Sequence, residues 1–318
     1  MNRAVLIVNA VAGRRKSLGV LVPELVQILE EHGVQANATV TTAAGEAQTI
    51  AANAAARGCD TVFACGGDGT VHETLQGLVG TESALGVVPL GTANALARNL
   101  GLSLDPVKAL QQQLSFMPRA MPVGETRCVA NDGEGRRYFT VMAGAGPDGA
   151  LVYRTLAGRR SKLGRGVYYT HAMRLFLTRR FPAFRVEYRR SDSDEWESRL
   201  AVSVMCARVA DLGGVFSRLT RGGSLLDQDL ELVLVKPPAG IGLPAWFALN
   251  SVGLHVRNPW VETVRVTEFR CVPLASDQPI HAEVDGEWIG HLPMSVRLIP
   301  QAAWMLMPNE PATQTVTP

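Results

Sequence analysis

Residues 61–75 read TVFACGGDGTVHETL, and this stretch decides the fold. Thr61, Val62, Phe63, Ala64 and Cys65 form a run without polar alternation, the pattern of a strand covered on both faces. Val71, Leu75 and Leu78 then recur at helical spacing. Between strand and helix stand Gly66, Gly67, Asp68, Gly69 and Thr70. Without a Cβ, glycine lets the backbone approach a phosphate closely. The start of the next helix adds unbonded N–H groups and the positive end of a dipole. A carboxylate in such a cradle repels phosphate unless a cation stands between them, so Asp68 points to a divalent metal or its water shell. A structural turn with an N-cap is the alternative, yet a turn alone needs neither three glycines nor an acid. The loop is not GxxxxGK[ST], which excludes a P-loop, and it lacks the GxGxxG spacing of dinucleotide folds.

The same strand-to-helix alternation extends on both sides. Strands are expected at 4–9, 34–41, 61–65 and 85–89. Helices are expected at 18–29, ended by Gly33, then at 45–57, after Thr70, and at 93–100. Repeated β-α units specify a doubly wound parallel sheet. After 118–122 the texture changes to short β-rich runs at 138–143, 183–188, 200–206, 230–235, 261–267, 280–284, 294–298 and 304–307. Helical inserts are expected near 163–178 and 241–252. The chain thus reads as an α/β protein: an N-terminal nucleotide-binding domain (1–121), a mainly antiparallel β domain (122–308) and a frayed tail (309–318).

Composition narrows the function classes. Of 318 residues 47% are hydrophobic and 19% charged, which excludes a disordered chain. The net charge of +2 speaks against a polycation built for nucleic acid. Cysteines 59, 65, 128, 206 and 271 are odd in number and lack CxxC spacing, so neither a disulfide framework nor a zinc site is expected, and a reducing cytoplasm fits. No run reaches ~18 uninterrupted apolar residues. Residues 4–13 imitate a short signal peptide, but Arg14, Arg15 and Lys16 follow where small residues would be needed.

Two further loops leave strands of the same sheet: Asn9-Ala10-Val11-Ala12-Gly13 and Pro89-Leu90-Gly91-Thr92-Ala93-Asn94. Ligands of open α/β sheets bind outside the carboxyl ends of the strands, so three glycine-bearing loops on one rim, with Thr41 in reach, would make a nucleotide site. Near the other end, Asp285 and Glu287 lie two apart. They share a face if the stretch is a strand and need not if Gly286 makes a turn. A carboxylate there could accept the proton of an alcohol nucleophile.

These loops, with His72-Glu73 after the second and Arg98 after the third, resemble the diacylglycerol kinase catalytic-domain family, which includes soluble bacterial lipid kinases, sphingosine kinases and ceramide kinases. Gly144-Ala145-Gly146-Pro147-Asp148, Ser224-Leu225-Leu226-Asp227-Gln228-Asp229 and Asp285-Gly286-Glu287 continue the resemblance in order along the chain. It implies two domains with the active site in the cleft between them, and Mg²⁺-dependent phosphorylation of a lipid hydroxyl by ATP. Carried over, Asn9, Ala10, Val11, Ala12, Gly13, Thr41, Gly66, Gly67, Asp68, Gly69, Thr70, Val71, His72, Glu73, Gly91, Thr92 and Asn94 would contact ATP. Glu287 would be the general base, with Asp68 and Asp285 also in the catalytic set. Arg98 and Asp148 would meet the substrate. A structural Mg²⁺ would sit on Asp227 and on backbone oxygens of Ser224 and Asp229. The chain departs from the family pattern at Ala10 (often Pro), Ala95 (Asp in many bacterial members) and Gln228 (usually Gly).

Residues 154–190 carry eleven Lys or Arg against the single acid Glu187, a local charge of +10 that leaves −8 for the remainder. Tyr168, Tyr169, Phe176, Phe181 and Phe184 lie among them. Such a segment can dock on anionic headgroups, which places the enzyme peripherally at the inner membrane face. A solvated helix face or an RNA patch would read similarly. A homodimer is compatible with this reading. The other histidines and the tryptophans (196, 246, 260, 288 and 304) are expected to be structural, the tryptophans in the core or cleft wall. Two alternatives remain at this point: an NAD or sugar-phosphate kinase sharing the Gly-Gly-Asp-Gly loop, and a non-catalytic nucleotide- or lipid-binding module.

Overall fold

The apolar runs of the first 90 residues become the inner strands of a parallel sheet. The computed structural model describes residues 1–10, 18–130, 133–147, 182–209, 223–237, 259–274 and 278–309. Strands β1 (Arg3–Asn9), β2 (Gln35–Thr41), β3 (Thr61–Gly66) and β4 (Ala84–Pro89) lie in the order β2-β1-β3-β4, all parallel. Every residue of β3 and β4 is buried, whereas β2, at the edge, stays largely exposed until Thr41. That contrast is the one expected between inner and edge strands of a helix-covered sheet. Helices α1 (Leu18–Glu31), α2 (Glu46–Ala56), α3 (Asp68–Leu78), α4 (Ala95–Asn99) and α5 (Pro106–Gln113) connect or flank them. Leu25 and Leu29 of α1 pack with Leu6, Phe63, Val88 and Leu110.

Helix α5 is short and polar on average, with Ala109, Leu110 and Gln113 on its buried side. It starts on a cap, Asp105 accepting from the Lys108 amide at 2.9 Å, with Pro106 in the first turn. It ends on Gln113, whose buried amide takes the Val87 N–H and donates to the Val87 carbonyl. A side chain thus stands in for a neighbouring strand along part of β4.

The remaining strands are β5 (Met117–Ala130), β6 (Gly133–Phe139), β7 (Met142–Ala145), β8 (Phe184–Arg190), β9 (Trp196–Ala201), β10 (Ser203–Ala207), β11 (Leu230–Val235), β12 (Val261–Pro273), β13 (His281–Val284) and β14 (Glu287–Met307). Antiparallel pairings run β13-β7-β10-β11-β12, and β14 joins both ends, so six strands close on themselves. Closure removes the free edges that an open sheet would leave. Inside lie Phe139, Phe184, Tyr188, Val204, Leu232 and Phe269.

Two compact units result: Met1–Val123 with Pro300–Pro318, and Gly124–Ile299. The β14 residues Trp304 and Met305 pair in parallel with Ala84 and Leu85 of β4, so the end of the chain belongs with the first unit. A division at 121 with 122–308 as one piece does not show this return. Other differences are local. The 138–143 run is broken at Thr140 and Val141, the 200–206 run is split between β9 and β10, and β14 fuses two expected strands. Trp196 and Trp260 are exposed rather than core, and the Arg270 guanidinium covers the Trp196 ring. Asn309 is tied down, its carbonyl accepting from Arg119 at 2.9 Å. Both expected helical inserts lie outside the described residues. Among the described residues no helix is long and apolar enough to cross a membrane. All five cysteines are free and buried, and burial pushes the Cys128 thiol up to about 11.

Candidate functional site

The parallel register brings the ends of four strands to one rim. Asn9 pairs with Thr41 and Gly66 with Pro89, so the loops after β1, β3 and β4 leave from the same edge. The Asn9 amide donates to the Thr70 hydroxyl at 3.0 Å, and the Leu90 N–H donates to the Gly66 carbonyl at 2.8 Å. The second and third loops touch through glycines. A Cβ on Gly91 would lie 2.5 Å from the Gly67 Cα, and one on Gly66 would strike the Thr70 side chain. No larger residue fits while this contact holds.

Asp68 has a use that the sequence does not announce. Its two carboxylate oxygens accept the Asn94 N–H at 3.0 Å and the Ala95 N–H at 2.7 Å. The acid clips the first turn of α3 to the start of α4. Positive backbone dipoles supply much of the compensation for which a cation was expected. Asn94, in the left-handed region at φ 49°, holds its own loop by accepting from the Gly91 N–H and donating to the Gly91 carbonyl. Gly91, Thr92 and Ala93 are left exposed, and Gly67, Asp68 and Gly69 half-exposed at the start of α3. Thr70, Val71 and His72 are buried, and Glu73 is half-buried. Thr41 is buried with its hydroxyl toward the Val8 carbonyl. The Arg98 side chain bonds the Ala93 carbonyl at 2.9 Å. Ala10 is half-buried, while Val11, Ala12, Gly13 and Asp148 lie outside the described residues.

In the second unit Asp285 and Gly286 form a two-residue hairpin between β13 and β14, with Val284 paired to Glu287. Both have positive φ, 47° and 82°, as a type I′ turn requires. The turn therefore replaces the shared face. The Asp285 carboxylate accepts from Thr140, Val141 and Met142 amides at 3.1, 2.9 and 2.9 Å, fixing the corner before β7. Glu287 starts β14, half-buried. Glu283 is buried and accepts the Gly286 N–H.

The acidic hairpin at Ser224, Asp227 and Asp229 holds a cation of its own. Arg265 Nη2 lies 3.0 Å from Asp227 and 2.8 Å from Asp229, and its Nε donates to Asp229 at 3.1 Å. Arg208, buried beside it, donates to the Leu225 carbonyl at 2.7 Å. Burial pushes the Arg208 guanidinium down to about 10, against the pull of Cys206, Asp285 and Asp227. Neither arginine carries a sequence signal. Arg265 is 36 residues from Asp229, and only the β11–β12 register, which sets it opposite Glu231, brings it there.

Of the basic segment only residues 182–190 are described. Phe184 and Tyr188 are core, Arg189 pairs with Glu268 at 3.0 Å and Arg190 with Asp192 at 3.1 Å. The rest of that segment lies outside the described residues.

Residues 3–126 match the family model for the diacylglycerol kinase catalytic domain, and residues 141–307 match that for the YegS C-terminal NAD kinase beta sandwich-like domain. The chain is 27% identical over 320 residues to a diacylglycerol kinase of Bacillus subtilis (strain 168), covering 99% of each. It is 26% identical to one from Staphylococcus saprophyticus, covering 97% of this chain and 96% of that one. A crystal structure of a diacylglycerol kinase from Bacillus anthracis shares the fold at a TM-score of 0.71 and 21% identity, over 97% of this chain and 98% of that one. A yeast NADH kinase complexed with NADH aligns at a TM-score of 0.50 and 11% identity, over 96% of this chain and 83% of that one, a likeness of fold alone.

Proposed function

Because the chain belongs to the diacylglycerol kinase catalytic-domain family and carries a YegS-like C-terminal domain, we propose that it moves the γ-phosphate of ATP to a lipid hydroxyl, that of a diacylglycerol-like or sphingoid alcohol. The observation that carries this reading is likeness along the whole length to proteins named for that one reaction.

The chemistry fits the residues. Phosphoryl transfer needs positioning and charge stabilisation more than covalent participation. Backbone amides of the Gly67–Gly91 contact and the start of α3 would hold the triphosphate, since nothing bulkier than hydrogen covers them there. Asp68 and Asn94 would keep the two loops in register. Among the described residues no cluster of three or more His, Cys, Asp or Glu could hold a metal, so the Mg²⁺ would come with the nucleotide. Glu287 would accept the proton of the lipid alcohol.

The test is Glu287→Gln. Turnover should fall ~100-fold or more while ATP affinity and Tm stay unchanged, and near-normal activity would remove the base assignment. Radiolabelled ATP with total lipid extract, followed by mass identification of the product, would name the substrate. Transfer to NAD or fructose 6-phosphate but not to lipid would favour a soluble-substrate kinase. No transfer to any acceptor would favour a binding module. Contact with the membrane is proposed through the basic segment 154–190 without Phe184, Arg189 and Arg190, which the fold already engages. Sedimentation should show stronger binding to anionic than to neutral vesicles, and equal binding would refute the electrostatic version.

A further inference from the structure

The family resemblance implies a structural Mg²⁺ on the hairpin that carries Asp227 and Asp229, and the donor set there does not fit it. Asp227 Oδ2 already accepts from the Ser224 N–H at 3.1 Å and from Arg265 Nη2 at 3.0 Å. The Ser224 carbonyl, an implied ligand, accepts the Asp227 N–H at 3.0 Å. Asp229 accepts the Arg265 Nε–H through Oδ2 at 3.1 Å, and its Oδ1, buried with no hydrogen-bond donor among the described residues, lies 2.8 Å from Nη2 as an ion pair. Magnesium demands near-octahedral oxygen at ~2.1 Å and gives up its water reluctantly. Of the implied ligands, the Asp227 carboxylate already shares Oδ2 between the Ser224 N–H and Arg265 Nη2, so a divalent ion on Asp227 would stand against a guanidinium 3.0 Å from the same carboxylate.

The strand that carries the guanidinium is well paired, while the side chain itself is 41% exposed. Arg265 sits within β12, and its carbonyl accepts the Ser191 N–H at 3.0 Å. Gln228, in the place of a family glycine, closes the turn from within by donating to the Leu226 carbonyl at 3.0 Å. Arg208 supports the other side through Leu225. Arg265 thus meets both carboxylates of the hairpin directly, and the Asp227 charge also acts on buried Arg208. The planar fork of arginine suits paired carboxylates in a way a lysine would not.

We propose that Arg265 takes the place of a structural divalent cation, so that the second unit keeps its acidic hairpin without Mg²⁺. The experiment uses the full chain without nucleotide and reads no turnover, so it stands apart from the lipid-kinase reading. Metal content after gel filtration and Tm with EDTA or with Mg²⁺ are measured for the wild type and for Arg265→Ala. The wild type should retain no stoichiometric Mg²⁺ and show one Tm in both conditions. Arg265→Ala should melt lower and regain part of the loss on adding Mg²⁺, because the bared carboxylates then collect an ion. Arg265→Lys should fall between, keeping charge but losing the fork. One Mg²⁺ retained per wild-type chain, or a wild-type Tm that EDTA lowers and Asp227→Asn no longer allows Mg²⁺ to restore, would overturn the proposal. So would an Arg265→Ala protein as stable as wild type or indifferent to Mg²⁺. If Arg265→Ala does not fold, the wild-type metal content and EDTA response decide alone.

Discussion

At the rim of the first unit the working surface is backbone: Gly67 and Gly91 meet, and Asp68 serves them from behind by holding the Asn94 and Ala95 amides. The turns of the second unit are shaped by side chains. Asp285 carries three amides, and Asp227 and Asp229 carry Arg265. In both places an acid whose sequence position suggests chemistry has a structural duty, but the consequence of losing it differs. On the rim a small displacement moves the surface that would meet a phosphate. In the hairpins it loosens the fold itself.

The sharpest way to break that contrast is Gly91→Ala. Its new Cβ would meet the Gly67 Cα at 2.5 Å and Asn94 Oδ1 at 2.9 Å, so one loop must move. A shift of an ångström in a positioning element costs ~100-fold, and kcat/KM for ATP should fall by about that much, with Tm lowered as well because backbone must give way. Gly67→Ala, whose Cβ would lie 3.3 Å from the Gly91 Cα, should lose distinctly less. Equal kinetics for both variants and wild type would mean that the glycine contact does not shape the nucleotide site.

Asp285→Asn tests the other side. The asparagine amide turns N–H groups toward backbone N–H groups, and three hydrogen bonds to a carboxylate are weakened or lost. A loss of about 3 kcal/mol is expected, with Tm lowered by roughly 5–10 °C. Residual activity at low temperature should be substantial, the opposite of Glu287→Gln. A variant with unchanged Tm and no turnover would return Asp285 to the chemistry.

What the sequence made legible follows from range. The β-α alternation and the rim loops after β3 and β4 are written in local patterns, apolar runs and glycines, and they appear in the structure within a residue or two. Helix α5 was not, because its buried side is only Ala109, Leu110 and Gln113 in eight residues rich in glutamine, and a cap and the Gln113 bonds to Val87 fix it. The duties of Asp68, Asp285, Asp227 and Asp229 were not either. Their partners stand 26 to 145 residues away or on a neighbouring strand, and residue type alone says only that an acid is present. The glycine-versus-acid distinction was readable, while the use of each acid needed the register.

The smallest effect concerns the start of β14. His291 packs against the His281 ring at 4.8 Å and edge-on to Trp288 at 5.4 Å, and burial holds its imidazole below the ordinary histidine value. The neutral ring is thus the form the fold favours. As pH falls below about 6.5 the unfolded chain takes up the proton first, so this contribution is complete above that pH and declines as pH drops toward the lower folded value. A slight fall in Tm from pH 7.5 to 5.5 is expected, and His291→Gln should flatten part of it. His281 is the competing candidate. Its Nδ1 accepts from the Trp288 indole at 3.2 Å. If His281→Gln flattens the profile and His291→Gln does not, the acid sensitivity of this turn does not lie in the half-buried His291 ring.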